Sequence, residues 1–204
     1  MQSATGTPPP THSTPATGLA DEDAHLVAAA QADARAFAPL YARYADSVYR
    51  YCSRKLGHPE TAADATAQVF VQALAALPRY RPQGNSFRAW LFTIAHNVIV
   101  DHLRAHRPLA PIAAAEHVPA TEPSPEEELL RREAGVTVRT LLATLPEDQR
   151  QILELRLAGL SGAEIATVLG RNPGAVRVAQ MRAIARLRDT FAASDAARAG
   201  GSTP

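Results

Sequence analysis

The chain of 204 residues has one cysteine, Cys52, and one lysine, Lys55. A single cysteine excludes a disulfide scaffold within the chain and a zinc site built on thiolates. Cys52 stands alone on a helical stretch, where a buried structural thiol is the usual outcome. With one lysine, nearly all positive charge is arginine, whose planar fork grips phosphates and guanine edges bidentately. No apolar run approaches the ~18 residues that a membrane helix needs. The N-terminus lacks the basic start and apolar core of a secretion signal. A cytoplasmic protein without membrane insertion is the resulting expectation. The sequence also lacks a Gly-rich phosphate loop, paired carboxylates and metal-ligand spacing, so it is expected to be no enzyme and to carry no cofactor. His102 and His106 stand four residues apart, as a metal pair or a solvated pair would. No third ligand accompanies them, so no metal is expected.

What is present supports folding. Hydrophobic residues make up 46% of the chain and charged residues 20%, with a formal net charge of +1. That composition excludes wholesale disorder and a histone-like polycation. The near-neutral total hides blocks. Residues 1–34 carry four acids and no base, whereas 35–107 carry ten bases and four acids. Residues 108–148 carry three bases and eight acids, and 149–191 seven bases and three acids. Two basic blocks flanking an acidic one suit two anion-binding surfaces, although ordinary charge scatter gives a similar pattern.

The organisation follows from proline and small polar residues. Residues 1–21, with Pro8, Pro9 and Pro10, read as a disordered tail, and 192–204 as a second one. Five prolines between Pro108 and Pro125 make 108–126 an extended acidic linker. Two helical blocks remain, at 22–107 and 127–191, and the expected fold class is all-α. In the first block, Phe37, Leu40, Tyr41, Tyr44, Val48 and Tyr51 recur at helical steps up to Gly57. A second helix is expected from Pro59 to Leu77, with Ala63, Val69, Phe70, Ala73, Leu74 and Leu77 available for packing and Pro78 as its stop. After a loop with Pro82, Gly84 and Asn85, a third helix is expected from Phe87 to His106.

The second block begins with an acidic turn at Glu126, Glu127 and Glu128, and its first helix is expected to reach Leu145. A helix from Pro146 to Gly159 follows. Ser161 and Glu164 then fit a capping box. Gly170 closes that short helix, and Asn172 and Pro173 open a last one running to about Phe191. The stretch 160–187 therefore reads as a helix-turn-helix. In the last helix Val176, Ala183 and Leu187 can face inward. Gly174, Arg177, Val178 and Met181 share another side, which would enter a major groove. Arg177 is the candidate for a base edge, and Arg171 and Arg182 for phosphates. The alternative is a plain helical hairpin with a solvated arginine face.

In the third helix of the first block, Asn97, Asp101 and Arg104 share a stripe. Asparagine can read an adenine edge and arginine a phosphate or guanine. Tyr80, Arg81 and Asn85 offer an aromatic and polar set suited to an unpaired base. Equally, Asp101 and Arg104 can simply pair on a wet surface, with Tyr80 at the core edge.

The stretch 37–44 (Phe-Ala-Pro-Leu-Tyr-Ala-Arg-Tyr), residues 64–70, and 87–97 with Asp101 and Arg104 resemble region 2 of bacterial RNA polymerase sigma factors. Residues 145–150, 159–166 and 174–177, with Arg182 and Ala183, resemble region 4. With the proline-rich linker in place of region 3, the chain resembles the extracytoplasmic-function (ECF) group of the sigma-70 family. The resemblance implies two small helical domains joined by a flexible linker: a region 2 bundle and a region 4 helix-turn-helix. It implies that the first binds the clamp of the largest subunit of core RNA polymerase through Asp64, Gln68 and Phe70. The same domain would capture and melt the −10 element through Tyr80, Arg81, Asn85, Asn97, Asp101 and Arg104. The second would bind the flap of the second-largest subunit and read the −35 element through Arg171, Asn172, Arg177, Val178, Met181 and Arg182. Promoter DNA and core polymerase are thus the implied partners, with an anti-sigma factor as a further candidate. The acidic linker would thread toward the active-site channel.

Two departures stand out. The family's Ala-Glu-Asp-Leu-x-Gln-Glu-Val-Phe run reads Ala62-Ala63-Asp64-Ala65-Thr66-Ala67-Gln68-Val69-Phe70 here, which predicts a weaker clamp contact. The usual Lys/Arg-Ser-Arg-Leu run of the recognition helix reads Arg177-Val178-Ala179-Gln180. Two other readings of the chain are a dimeric helix-turn-helix regulator on palindromic sites and a protein that titrates polymerase without reading DNA.

Overall fold

The computed structural model describes residues 16–82, 85–105 and 138–200, all of them helical or in short connections, with no strand among them. The linker 108–126, the start of the second block, residues 1–15 and 201–204, the turn residue Gly84 and His106 lie outside the described residues. Helix α1 spans Ala16–Ala32, α2 Ala38–Leu56, α3 Pro59–Ala76 and α4 Phe87–Ala105. Helix α5 covers 138–143, followed by α6 at Glu147–Leu157, α7 at Gly162–Leu169 and α8 at Pro173–Gly200. Short 3-10 turns sit at Ala34–Phe37 and Leu77–Arg79.

Both expected tails are helical where they are described. Residues 16–21 belong to α1 and 192–200 to α8. Once a helix is nucleated by its packed part, each further residue adds a hydrogen bond without a new nucleation cost. The C-terminal extension is also alanine-rich, the best helix-forming composition.

Helix α2 buries Leu40, Tyr44, Val48, Tyr51 and Cys52 along one face. Tyr41 belongs to the expected stripe but remains 49% exposed. Gly57 ends the helix at φ +80°, and its N–H returns to Ser53 O at 3.0 Å. That left-handed turn is one a side-chain-bearing residue takes only at a cost. Helix α3 buries Ala62, Ala65, Thr66, Val69, Phe70 and Ala73. The expected Val69, Phe70, Ala73 and Leu77 are buried, whereas Ala63 and Leu74 are exposed and Ala62 and Ala65 take inner positions instead. The helix ends at Ala76 with Leu77 as its cap, just before Pro78 as expected, and Pro78 sits in the 3-10 turn that follows.

Helix α4 is central. Phe87, Ala89, Leu91, Phe92, Ala95, Val98 and Ile99 are all buried, by α1, α2, α3 and α7 together. Helix α1 adds a polar anchor to the bundle. Its buried Asp23 accepts a short hydrogen bond from Tyr44 and pairs with Arg43 at 3.0 Å. Burial, then the Asp23 hydrogen bond and charge, push the Tyr44 phenol far above its ordinary range, so it remains a proton donor.

The two sequence blocks dock onto each other rather than lying apart. One continuous apolar cluster runs from Leu40, Phe92 and Ile99 to Ile152, Leu160, Ile165 and Val176. A smaller cluster of Leu142, Leu145, Leu153 and Ala183 holds α5, α6 and α8 together. Lys55 Nζ reaches across to Glu147 Oε1 at 3.1 Å and Glu154 Oε2 at 3.0 Å, with the Lys55 and Glu154 side chains almost inaccessible. Arg54 Nη2 donates to the Glu154 carbonyl at 3.2 Å. The Coulomb gain of a buried pair is largely offset by desolvation, whereas deleting one partner costs about 3–5 kcal/mol. Such contacts define which faces meet more than they tighten the meeting.

The anchor on α1 yields a stability prediction. Asp23→Ala leaves the buried Tyr44 hydroxyl without its acceptor and should cost about 1–3 kcal/mol. Urea unfolding followed by circular dichroism measures it; an unchanged midpoint would discount the anchor.

Candidate nucleic-acid interface

The loop between α3 and α4 is shaped from both ends. Tyr80 packs its ring against Phe87 and Trp90, with centroids at 5.8 and 4.8 Å, and only 7% of the residue is exposed. Its hydroxyl donates to Asn85 O at 3.3 Å. Tyr80 is therefore a strut inside the loop, and its ring is not offered as an open stacking platform. Arg81 folds back, donating from Nη1 to Tyr80 O at 2.9 Å and to Pro78 O at 3.1 Å. Asn85 is exposed at the loop's end. Ser86 Oγ then accepts from the Ala89 N–H at 3.1 Å, which satisfies an otherwise orphaned donor in the first turn of α4.

Along α4, Asn97, Asp101 and Arg104 are all exposed on the strip left free by the buried positions. Asp101 and Arg104 approach only to 3.9 Å with side chains 74% and 79% exposed. A pair so open to solvent contributes about 0–1 kcal/mol and leaves both groups available. His102 Nε2 lies 3.0 Å from Gln68 Oε1, tying the α4 strip to α3.

On α3, Asp64 and Gln68 are exposed, but Phe70 is 5% exposed. The Phe70 ring meets Phe37 and Tyr41 edge-on, with centroids at 6.3 and 4.7 Å. It shapes this face from within. The apolar atoms actually presented there are those of Tyr41, Val71 and Leu74; of these, Val71 was not singled out from sequence.

The helix-turn-helix forms as its local chemistry demands. Ser161 Oγ accepts from the Glu164 N–H at 3.3 Å, and Glu164 Oε2 accepts from the Ser161 N–H at 2.7 Å, closing the capping box. Gly170 sits at φ +60°, and the Arg171 N–H returns to Ala166 O at 2.9 Å. Asn172 Oδ1 accepts from the Gly174 N–H at 2.8 Å, which opens α8. Val176 and Ala183 are fully buried and Leu187 partly so. Gly174, Arg177, Val178, Met181 and Arg182 lie exposed on the opposite side, with Met181 63% and Val178 46% exposed. A helix with one locked face and one open arginine-bearing face matches the width of a major groove. Arg171 is exposed at the turn.

Four residues in this region were not marked by the sequence reading in these roles. Gln31 of α1 donates from Nε2 to Leu77 O and to Tyr80 O, both at 2.9 Å. Leu77 O also accepts from the Tyr80 N–H at 3.0 Å and Tyr80 O from Arg81, so Gln31 adds a further donor to each carbonyl and ties α1 to the start of the loop. Nothing local to position 31 signals a partner 46 residues away. Ser86, Arg88 and Glu164 meet across the two blocks. Ser86 Oγ donates to Glu164 Oε1 at 2.5 Å, Arg88 Nη1 donates to Gly159 O at 2.6 Å, and Arg88 Nε stands 3.7 Å from Glu164 Oε1. Burial raises the Glu164 pKa, but hydrogen bonds from Ser86 and Ser161 and the Arg88 charge outweigh it and hold the carboxyl below its ordinary value. The capping box was legible; the second duty of Glu164 was not.

Comparison with known proteins agrees with this geometry. Residues 40–108 match the family described as Sigma-70 region 2, and 136–187 match Sigma-70, region 4. The ECF RNA polymerase sigma factor BldN of Streptomyces coelicolor is 39% identical over 166 residues, which cover 79% of this chain and 63% of BldN. ShbA, an ECF RNA polymerase sigma factor of Streptomyces griseus, is 39% identical over 171 residues, covering 78% of this chain and 90% of ShbA. The solved CnrH, in complex with the cytosolic domain of CnrY, superposes with a TM-score of 0.65 at 30% identity, covering 84% of this chain and 97% of CnrH. The dimeric-regulator reading is not favoured by any of these relatives. With both regions matched in order, the chain belongs to the sigma-70 family of RNA polymerase sigma factors, in its ECF group.

Proposed function

We propose that this transcription-initiation factor binds core RNA polymerase and divides promoter reading between its two helical blocks. The second block reads the −35 element through α8. Arg177 takes a base edge, Val178 and Met181 supply apolar contact, and Arg171, Asn172 and Arg182 hold phosphates. The observation that carries the reading is the two-sided build of α8: a locked inner face behind an open arginine-bearing one. The first block engages the clamp through α3 around Asp64 and Gln68, with Phe70 supporting that face. It captures the −10 strand with Asn85, Asn97, Asp101 and Arg104. Tyr80 and Arg81 shape the loop and become contacts only if the loop opens. Among the described residues, no helix is long and apolar enough to cross a membrane. CnrH was solved with a protein partner, and an anti-sigma partner stays a candidate here.

Run-off transcription with purified core polymerase and candidate promoters tests this directly. Arg177→Ala should lower promoter-specific transcript by the loss of about 1–3 kcal/mol, roughly 5- to 150-fold in affinity, while leaving non-specific binding nearly intact. Two-fold symmetric footprints on duplex DNA without polymerase would point to a regulator instead.

The altered α3 motif generates a second expectation. Ala67 and Gln68 are exposed where the family carries glutamine and glutamate. Ala67→Gln with Gln68→Glu should tighten core-polymerase binding in a competition assay, and no gain would count against a clamp contact at this face.

Gln31 supplies a third. Gln31→Ala should slow open-complex formation, read by permanganate reactivity of unpaired thymines, while core affinity and −35 duplex contacts stay unchanged. Equal losses in all three would mark Gln31 as merely structural.

A further inference from the structure

Most basic side chains of the first block are already engaged. Arg43 pairs with Asp23 and Arg50 with Asp46, Glu154 holds Arg54 and Lys55, and Arg88 meets Glu164. Arg81 folds onto two backbone carbonyls, and Arg104 stands 3.9 Å from Asp101. Arg35 and Arg79 are different. Both are exposed, and neither guanidinium makes a hydrogen bond or an ion pair with a described residue.

The two arginines sit on turns that are built alike and tied to one helix. The 3-10 turn Ala34–Phe37 buries Phe37 and presents Arg35, and the 3-10 turn Leu77–Arg79 buries Leu77 and presents Arg79. Gln31 of α1 joins the two places, since its Nε2 donates to Leu77 O and to Tyr80 O, both at 2.9 Å. Arg35 is four residues past Gln31, at most about 14 Å of chain, and Arg79 lies between the two carbonyls that Gln31 holds, at most about 7 Å of chain from either. The carboxylate next to Arg35 in sequence, Asp33, turns Oδ1 to the Arg35 N–H at 2.9 Å and caps the turn. Two uncommitted guanidiniums thus flank the start of the loop that leads to Asn85.

We propose that Arg35 and Arg79 hold backbone phosphates of the unpaired −10 strand where it passes the start of this loop, a contact blind to base sequence. This rests on the two-block promoter reading given above. Arg35 precedes residues 40–108, which match region 2, so a segment ahead of that match takes a nucleic-acid role. A guanidinium stays charged, and its fork meets two phosphate oxygens at once. Base stacking is not what this surface offers. Tyr80, the aromatic residue between Arg79 and Arg81, is 7% exposed, with its ring packed on Phe87 and Trp90. A closed ring beside open charges suits a polyanionic backbone, and such contacts supply affinity and salt dependence without specifying sequence.

The test uses the full chain assembled with core polymerase and a fluorescent single strand carrying the −10 element of a promoter that the assembly transcribes. Affinity is titrated between about 0.1 and about 1 M salt, the range over which phosphate contacts fade. Arg35→Gln and Arg79→Gln should each weaken binding about 5-fold at the low-salt end, and each should flatten the plot of log K against log salt by about 0.7, the value of one single-strand phosphate. The double substitution should flatten it by about 1.4, by the same rule. Arg35→Lys and Arg79→Lys, which keep the charge, should keep the slope. Core-polymerase affinity and the ranking of −10 base variants should not change. A loss of affinity in the double substitution with the slope altered by less than about 0.7 marks both arginines as structural and overturns the proposal. So does unchanged affinity, or lysine variants that behave as the glutamine ones; each of these leaves the two-block reading standing. Absence of promoter-specific transcript from the unmodified chain with core polymerase overturns that reading, and the phosphate contact with it.

Discussion

Helix α4 has little surface to spare. Phe92, Leu91, Ala95 and Ile99 are wholly inaccessible, and Phe87 and Val98 nearly so, because α1, α2, α3 and α7 all lean on this one helix. Interiors pack at crystal-like density, so a helix enclosed this way has its rotation about its own axis set to within a side chain. The free strip is then a consequence rather than a choice: Asn97, Asp101 and Arg104 are what remains when the apolar positions are satisfied. The same enclosure orients the start of α4, where Ser86 caps the first turn and Arg88 projects toward α7. Moving α4 would move the candidate strand-capturing loop, the α4 stripe and the seat of the second block at once.

The second block solves a different problem. It must present an open face on a short helical unit, and it does so by making the turn chemistry strong and the buried face narrow. The capping box of Ser161 and Glu164, the left-handed Gly170 and the Asn172 cap fix the angle between α7 and α8 with side chains close in sequence. Only Val176, Ala183 and the flank of Leu187 are needed to hold α8 inward. Arg177, Val178, Met181 and Arg182 are left unconstrained by packing, which is what a groove-reading surface requires. Within the run at 177–180, Arg177 and Val178 fall on this open side, whereas Ala179 packs against the shared apolar cluster.

Between the blocks, apolar contact and buried charge act in opposite senses. The shared cluster around Ile152, Leu160 and Ile165 favours docking, while the desolvated Lys55 and Glu154 pair adds selectivity of faces with little net gain. Docking therefore has a defined geometry without the depth of a single-domain core. A factor that has to engage a much larger machine at two distant points is well served by such an interface.

The sequence by itself determined whatever depends on neighbours within about one helical turn. Helix phase in α2, the glycine ends at Gly57 and Gly170, the capping box and the locked face of α8 were all legible, because caps and amphipathic stripes are local interactions. In α3 the expected Val69, Phe70, Ala73 and Leu77 are buried, and only Ala63 and Leu74 fall outside, since alanines at Ala62, Ala63 and Ala65 offer periodicity little contrast. The exposure of Asn97, Asp101, Arg104 and Arg177 followed from the same local stripes. Only the tertiary structure decided between Tyr80 as an open stacking ring and Tyr80 at the core edge, that Gln31 donates to a loop beyond its own helix, and that Lys55 meets a carboxylate 92 residues away. It alone decided that the two blocks dock. Those outcomes depend on which surfaces are desolvated together, and desolvation is a property of the assembled three-dimensional neighbourhood, not of any window along the chain.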